Sequence, residues 1–379
     1  MKTRAAVLTR MGLPRPYSQS RPLQLLELDL DPPGPREVLV RMRAAGLCHS
    51  DLSVISGDRP RPLPMAIGHE AAGEVLEVGS GIGDLAPGDH VVAAFVPCCG
   101  ACEPCTSGRP ALCEPGFEAN SAGVLLSGSR RLHRGDQPIH HHLGVSAFAD
   151  YAVLARESLV RVDSTLPFAE AALFGCAVMT GVGAVTNTVQ PAPGASIAVI
   201  GLGGVGLAAL LGAQLLEPSM IVACDLNEEK LQAAQRMGAT HVVNAADESA
   251  VERIRDITRG GAHYAFEMAG SVKALELAYM ITRRGGTTVT SGLPHPQRLL
   301  SIPHVGIVAE ERTIKGSYLG SCNPARDIPK YIGMYRSGRL SVDLLLSERI
   351  ALGDINAAFD RLAEGKSIRQ IVDLTVPSS

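Results

Sequence analysis

A strand-like run, 196-SIAVI-200, passes directly into 201-GLGGVGLAALLGAQLL-216, and this junction constrains the fold more than any other stretch of the 379-residue chain. Gly201, Gly203 and Gly206 are spaced G-x-G-x-x-G at the mouth of a helical run that opens with Gly204 and Val205. At that spacing the first glycine permits a tight turn, the second lets backbone approach a ligand, and the third lets helix and strand pack closely. Asp225 follows 24 residues after Gly201, at the end of the next strand-like run. A glycine turn between strand and helix, followed by such an acid, seats a pyrophosphate on the helix N-terminus and a ribose on the carboxylate. The expected ligand is a dinucleotide. A 2′-phosphate beside Asp225 would face a like charge, so NAD is expected rather than NADP. Lys230, in the following helix, is a further candidate for that ribose, with an ordinary solvated lysine as the alternative.

The junction lies inside a longer alternation. Strand-like runs at 196–200, 221–225, 241–245, 264–269, 287–292 and 313–320 alternate with helical runs such as 228–238 and 271–286. This predicts an open, doubly wound parallel sheet, with Gly238 as a helix C-cap. Before about residue 175 the chain is instead rich in Gly and Pro, with short β-type runs at 37-EVLVRMRAAG-46 and 89-DHVVAAFV-96. That half is expected to be mainly β. The tail, 354–374, reads as a helix capped by Asp354 and then a strand that returns to the first domain. The expected fold class is therefore α/β. A mainly β domain (1–177 and 322–379) is interrupted by a parallel-sheet domain (178–321).

The cysteines are unevenly spent. Five of nine fall within 98-CCGACEPCTSGRPALC-113. The N-terminus MKTRAAVLTRMGLPRP has no apolar signal-peptide segment, and no eighteen-residue apolar span is evident, so a soluble cytoplasmic protein is expected. In a reducing cytosol such a cluster reads as metal binding rather than disulfides. Cys99, Cys102, Cys105 and Cys113, spaced C-x2-C-x2-C-x7-C, would close a tetrahedral zinc site with no position open for chemistry, leaving Cys98 spare. A nucleic-acid-binding module is disfavoured, because the net charge is −3 and the lobe carries Glu103 and Glu114 but no Lys. A second set is dispersed over 47-LCHSD, 67-IGHEAAG and 174-FGCAVMTGVGA. Cys48, His69 and Cys176 would make a Cys₂His zinc site with a fourth position open. Each residue alone has a bland reading, as a small buried hydrophobe or a paired histidine.

With these motifs assembled, the chain resembles the zinc-dependent medium-chain alcohol dehydrogenases, of the liver-type branch with the long catalytic-domain loop. The resemblance spans the chain. It rests on 68-GHEAAGEVLEVGSGI, 86-APGDHVV, the four-cysteine lobe, 174-FGCAVMTG, 201-GLGGVG with Asp225, and the closing 365-GKSIRQ. It implies a GroES-like β catalytic domain, a Rossmann NAD domain, two zinc ions per chain (one catalytic and one structural), and a homodimer, or otherwise a tetramer. It also implies roles residue by residue. Cys48, His69 and Cys176 match the catalytic-zinc ligands, and Glu70 matches a carboxylate beside the metal. Asp51 matches the acid that orients the ligand histidine. Ser50 matches the hydroxyl that takes the substrate proton, while His49 and Arg369 match positions facing the cofactor.

Departures from the family pattern bear on the chemistry. Ser53 stands where many relatives carry a histidine that hands the proton to water, so the relay beyond Ser50 is expected to use either His49, a further catalytic candidate, or water. His49 stands where several carry an arginine against the pyrophosphate, and a neutral imidazole holds phosphates less tightly. By position, Phe95, His142, Leu143, Arg59 and Leu293 are expected to face the substrate. Phe117 occupies the place of the arginine with which the glutathione-dependent formaldehyde branch holds its conjugate. The expected function is reversible hydride transfer between NAD(H) and a primary, aromatic or medium-chain, alcohol or aldehyde. The alternatives are a formaldehyde dehydrogenase using a thiol other than glutathione, and a catalytically silent binding protein of the same fold. The expected partner is thus a small molecule, with neither nucleic acid nor membrane involved.

Overall fold

The computed structural model describes residues 1–375. The chain forms two compact units. The first comprises Met1–Cys176, Asn323–Lys330 and the described residues from Leu346 on; the second comprises Ala177–Cys322 and Tyr331–Leu345.

In the first unit, strands Lys2–Leu8, Leu23–Leu30, Leu132–Arg134, Gln137–His141 and Met65–Ala66 close a small barrel. Its interior is filled by side chains that alternate along those strands, among them Ala5, Val7, Leu28, Leu30, Leu132 and Ile139. Beside it lies a seven-stranded sheet built around the long strand Glu37–Gly46. Glu37–Gly46 pairs antiparallel with Glu70–Val78, Tyr151–Ala155 and the tail strand Gln370–Asp373. The tail helix runs Ile355–Ala363, but Asp354 makes no side-chain cap there. The Asp354 cap expected from sequence is therefore corrected. Two short helices, His49–Ser56 and Glu114–Ala122, also interrupt the mainly β pattern.

The second unit holds a six-stranded, all-parallel sheet in the order 241–244, 220–225, 196–200, 262–267, 282–290, 313–316. All five residues of Ser196–Ile200 are buried, as a strand covered on both faces requires. The helix expected at 271–286 ends at Ile281, because the strand Thr282–Thr290 begins there. The helix Glu228–Arg236 starts at Asn227, whose side chain accepts the N–H groups of Glu229 and Lys230, and Gly238 beyond it has φ +99°.

The reading of the sequence as lacking an eighteen-residue apolar span is also corrected. The helical segment Phe168–Val189 has 22 residues and a mean hydropathy of 1.7, long and apolar enough to cross a membrane. Its apolar window is 89% buried, so it is apolar all round because it is packed all round. Its glycines allow that packing. A Cβ on Gly175 would collide with the Ala93 carbonyl oxygen, and one on Gly181 with that of Val205.

Candidate active site

Strand register assembles the first site. Gly46 pairs with Glu70, so Cys48 and His69 emerge side by side just beyond the paired residues. Gly46 has no Cβ because the Glu70 side chain occupies that space. Cys176 lies in a widened π turn, Phe174–Val178, a distortion often found where a helix serves a site. The ligand atoms of Cys48, His69 and Cys176 all lie within 4.8 Å of one another, and all three residues are buried.

Hydrogen bonds set the histidine tautomer. His69 Nδ1 is 2.9 Å from Asp51 Oδ1, while Asp51 Oδ2 accepts the Cys48 backbone N–H at 3.1 Å. Nδ1 then carries the proton, and Nε2, buried without a partner, keeps its lone pair free for a metal. An orphaned imidazole nitrogen among two buried thiols is the donor set that zinc takes, with room for a fourth ligand. The hydrogen bond with Cys176 and the neighbouring His69 and Arg369 outweigh burial and hold the Cys48 thiol well below the ordinary thiol range. Burial pushes His69 down, but Asp51 prevails and holds it well above its ordinary value, so a metal ion taken up at Nε2 would displace a proton from it.

Glu70 and Arg369 lie behind this set. The tail strand pairs Ile371 with Gly46, which places Arg369 against the same strand end. Arg369 donates to the Leu47 carbonyl at 2.6 Å and stands 3.4 Å from Glu70 Oε2. Burial pushes Glu70 up to about 7 against the opposing pull of Arg369. Ser50 is half-buried and His49 exposed in the first turn of the helix that Cys48 opens. The Ser53 hydroxyl donates to the His49 carbonyl at 2.8 Å.

The residues expected to face substrate divide. Phe95 and His142 both present ring edges to His69, with centroids 5.4 and 5.5 Å away. His142 is only 1% exposed, and its Nδ1 lies 3.1 Å from Asp51 Oδ1 but off line for a hydrogen bond. Leu143 is buried in a left-handed conformation (φ +51°), and Arg59 is half-buried. Leu293 belongs to the second unit and is 44% exposed.

The four-cysteine lobe is a separate centre. The sulfurs of Cys99, Cys102, Cys105 and Cys113 lie within 4.8 Å of one another without a disulfide. Cys99 Sγ accepts the N–H groups of Ala101 and Cys102, which overcome burial and bring it down to about 7. Cys113 Sγ accepts those of Cys99 and Gly116, though burial outweighs them and raises its pKa. Backbone donors aimed at sulfur favour thiolate, the form a metal needs. Cys98 is different: it donates to the Val96 and Pro110 carbonyls, and burial pushes it up to about 12.

In the second unit, Gly201 has φ +88°, and a Cβ there would come within 2.7 Å of Ala269. Gly206 backs onto the Gly201 carbonyl, so it too admits no side chain. Nothing lies within 4 Å of a Cβ position on Gly203, the residue before the helix Gly204–Gln214. Two glycines are thus demanded by packing and the middle one faces open space, which suits a pyrophosphate at the helix N-terminus. Asp225 Oδ2 accepts the Leu202 N–H at 2.6 Å and Oδ1 that of Asn227 at 3.0 Å, fixing the carboxylate beside the turn. Lys230 is half-buried in the next helix. Sequence patterning does not single out Glu267, a buried acid at the end of the strand Ala262–Glu267.

Comparison with known proteins agrees with this geometry. Residues 34–164 match the model of the alcohol dehydrogenase GroES-like domain, and residues 204–337 that of the zinc-binding dehydrogenases. An S-(hydroxymethyl)glutathione dehydrogenase of Escherichia coli is 35% identical over 376 residues, 98% of this chain and 100% of that protein. Among solved structures, an alcohol dehydrogenase zinc-binding domain protein from Burkholderia ambifaria superposes with a TM-score of 0.92 at 32% identity, over 100% of both chains. The benzyl alcohol dehydrogenase of Acinetobacter calcoaceticus gives 0.91 at 31% identity, over 98% of this chain and 99% of that one.

Proposed function

The chain belongs to the zinc-dependent medium-chain alcohol dehydrogenases, and from that premise we propose that it transfers hydride reversibly between NAD(H) and a primary alcohol or aldehyde, aromatic or medium-chain. The buried Cys48–His69–Cys176 set, with an unpartnered His69 Nε2, carries this reading. A zinc ion held there supplies a Lewis acid, and NAD supplies the hydride acceptor.

The chain's own residues do the rest. Asp51 holds the His69 tautomer and, through the Cys48 N–H, the loop that carries the first thiol. Ser50 takes the proton of the substrate hydroxyl. The Ser53 hydroxyl donates to the His49 carbonyl, and beyond the cofactor ribose the proton passes to His49 or to water. Arg369 holds the Glu70 carboxylate beside the metal set. Asp225 binds the adenosine ribose, with Lys230 a further candidate for it, and the turn at Gly201, Gly203, Gly204, Val205 and Gly206 binds the pyrophosphate; His49 is a further cofactor-binding candidate. Phe95 and Leu143 supply apolar substrate walls, which suits an aromatic ring. The four-cysteine lobe holds the second, structural zinc.

The name of the Escherichia coli relative favours a second reading, oxidation of a thiol adduct of formaldehyde. Phe117, 67% exposed and apolar, offers no charge to a glutathione carboxylate, so the thiol would be a different one. The reading of a silent binding protein leaves an open three-ligand metal site without a purpose. A homodimer working in the cytoplasm completes the proposal. It is supported by the sheet edge Thr313–Gly316, with the exposed Leu299, Val305 and Val308 nearby in sequence.

Zinc content and turnover of benzyl alcohol with NAD and with NADP, on one preparation, test the proposal. Two zincs per chain and NAD-selective turnover are expected. One zinc with no turnover overturns it. Turnover of formaldehyde only after a thiol is added replaces it with the second reading.

A further inference from the structure

Glu267 ends the strand Ala262–Glu267 with its side chain buried, and both of its oxygens are engaged. Oε1 accepts the backbone N–H groups of Ala269, Gly270 and Ser271 at 2.8, 2.6 and 3.4 Å. Oε2 accepts the hydroxyl of Thr290 at 2.6 Å. Thr290 ends the neighbouring strand, and its own oxygen accepts the Gly292 N–H at 3.2 Å. Gly292 is packed so closely that a Cβ there would lie 2.5 Å from the Gly270 Cα and 2.6 Å from Glu267 Oε2. On the other side, Ala269 fills the space over Gly201. One carboxylate therefore ties together the loops that follow two adjacent strands, and Ala269 packs the first of them on the turn that follows a third. Consecutive N–H groups turned on an anion form a nest of the kind that binds phosphate, and here the chain's own acid fills it.

Strand order says what those loops face. In such a sheet the ligand lies outside the carboxyl ends of the strands, at the point where the winding reverses. That point is between 196–200 and 262–267. Asp225 closes 220–225, on the side of the adenosine ribose, and the pyrophosphate lies over the Gly203 turn. The other half of a dinucleotide then continues over the ends of 262–267 and 282–290, the two loops that Glu267 joins.

We propose that Glu267 is a positioning residue for the nicotinamide half of the bound dinucleotide, acting through the 268–271 and 290–292 loops. This rests on the reading of Gly201–Asp225 as the dinucleotide site. Dissociation constants for NADH and for AMP, measured by fluorescence and calorimetry on the full-length enzyme, test it. Glu267→Leu is expected to weaken NADH about tenfold, equivalent to about 1.4 kcal/mol, and to leave AMP within about twofold. Glu267→Gln is expected to restore most of the loss, because its carbonyl can face the three N–H groups and its NH₂ can donate to Thr290. Thr290→Val, a milder change, is expected to shift the NADH-to-AMP ratio in the same direction by about threefold. The ratio in Thr290→Val decides the matter if the Leu variant does not fold. Equal weakening of NADH and AMP, or an unchanged ratio, overturns the proposal. A wild-type enzyme that binds neither ligand overturns the dinucleotide reading itself, and the proposal with it.

Discussion

Asp51 Oδ1 and His69 Nδ1 are 2.9 Å apart with both side chains buried, and the same carboxylate accepts the Cys48 N–H through its other oxygen. One acid thus orients two of the three residues proposed to hold the catalytic metal. Asp51→Asn keeps the shape but brings an N–H toward the ring, which favours the opposite tautomer. Zinc affinity at this site is expected to fall roughly 10–100-fold. Chelator competition followed by metal analysis checks this, and the four-cysteine zinc should stay bound.

The structural lobe responds differently. Cys105→Ser removes one of four sulfurs from a site that holds its loop together. The variant is expected to carry one zinc per chain and to melt about 5–10 °C lower. Metal analysis and calorimetry on one preparation report both. An unchanged Tm would mean the lobe contributes little to folding.

Cofactor choice depends on Asp225. Asp225→Ser removes the charge that opposes a 2′-phosphate and one acceptor for the ribose. The ratio of kcat/KM for NAD over NADP is expected to drop about tenfold or more. Because Asp225 also accepts the Leu202 and Asn227 N–H groups, absolute rates with NAD should fall as well.

A pH effect on stability is expected from His141, buried at the end of the barrel strand Gln137–His141. Burial pushes its pKa from 6.5 down to about 4, and its ring bonds to Ser146 and to the Arg131 N–H. Below pH 6.5 the unfolded chain takes up a proton that the folded chain refuses until about pH 4. His141 therefore costs nothing at pH 7.5, and stability falls as the pH drops from 6.5 toward 4, by about 3 kcal/mol in total. Urea unfolding at pH 7.5 and 5.0 should show a smaller difference in His141→Asn than in the wild type.

Several features were legible before any fold was known, and others were not. The strands of the parallel sheet begin within a few residues of their expected positions, because most are short apolar runs set between helical patterns. The exception is Thr282–Thr290, where TRRGG reads as a helix end; of that run only Thr282 pairs, with Ala262, before the register shifts to Tyr264 and Thr287. The apolar helix Phe168–Val189 escaped notice because glycines divide it on paper, although they are what allows it to be buried.

The contrast follows from distance along the chain. The glycine turn and the four-cysteine lobe each lie in one short stretch, so local backbone geometry determines them, and the residues themselves announced them. Cys48, His69 and Cys176 are 21 and 107 residues apart in sequence (69 − 48 and 176 − 69). No local rule joins them; residue type alone offered the set, and the resemblance to a family matched it. The Gly46–Glu70 register and the close approach of Gly175 to Ala93 are what bring the three together. The burial of His142 against Asp51 and the Glu267 tie between two loops likewise arise from side chains that meet only after strands have paired. Such contacts have no periodicity to read, because neither partner's neighbours in sequence say which strand end it will meet.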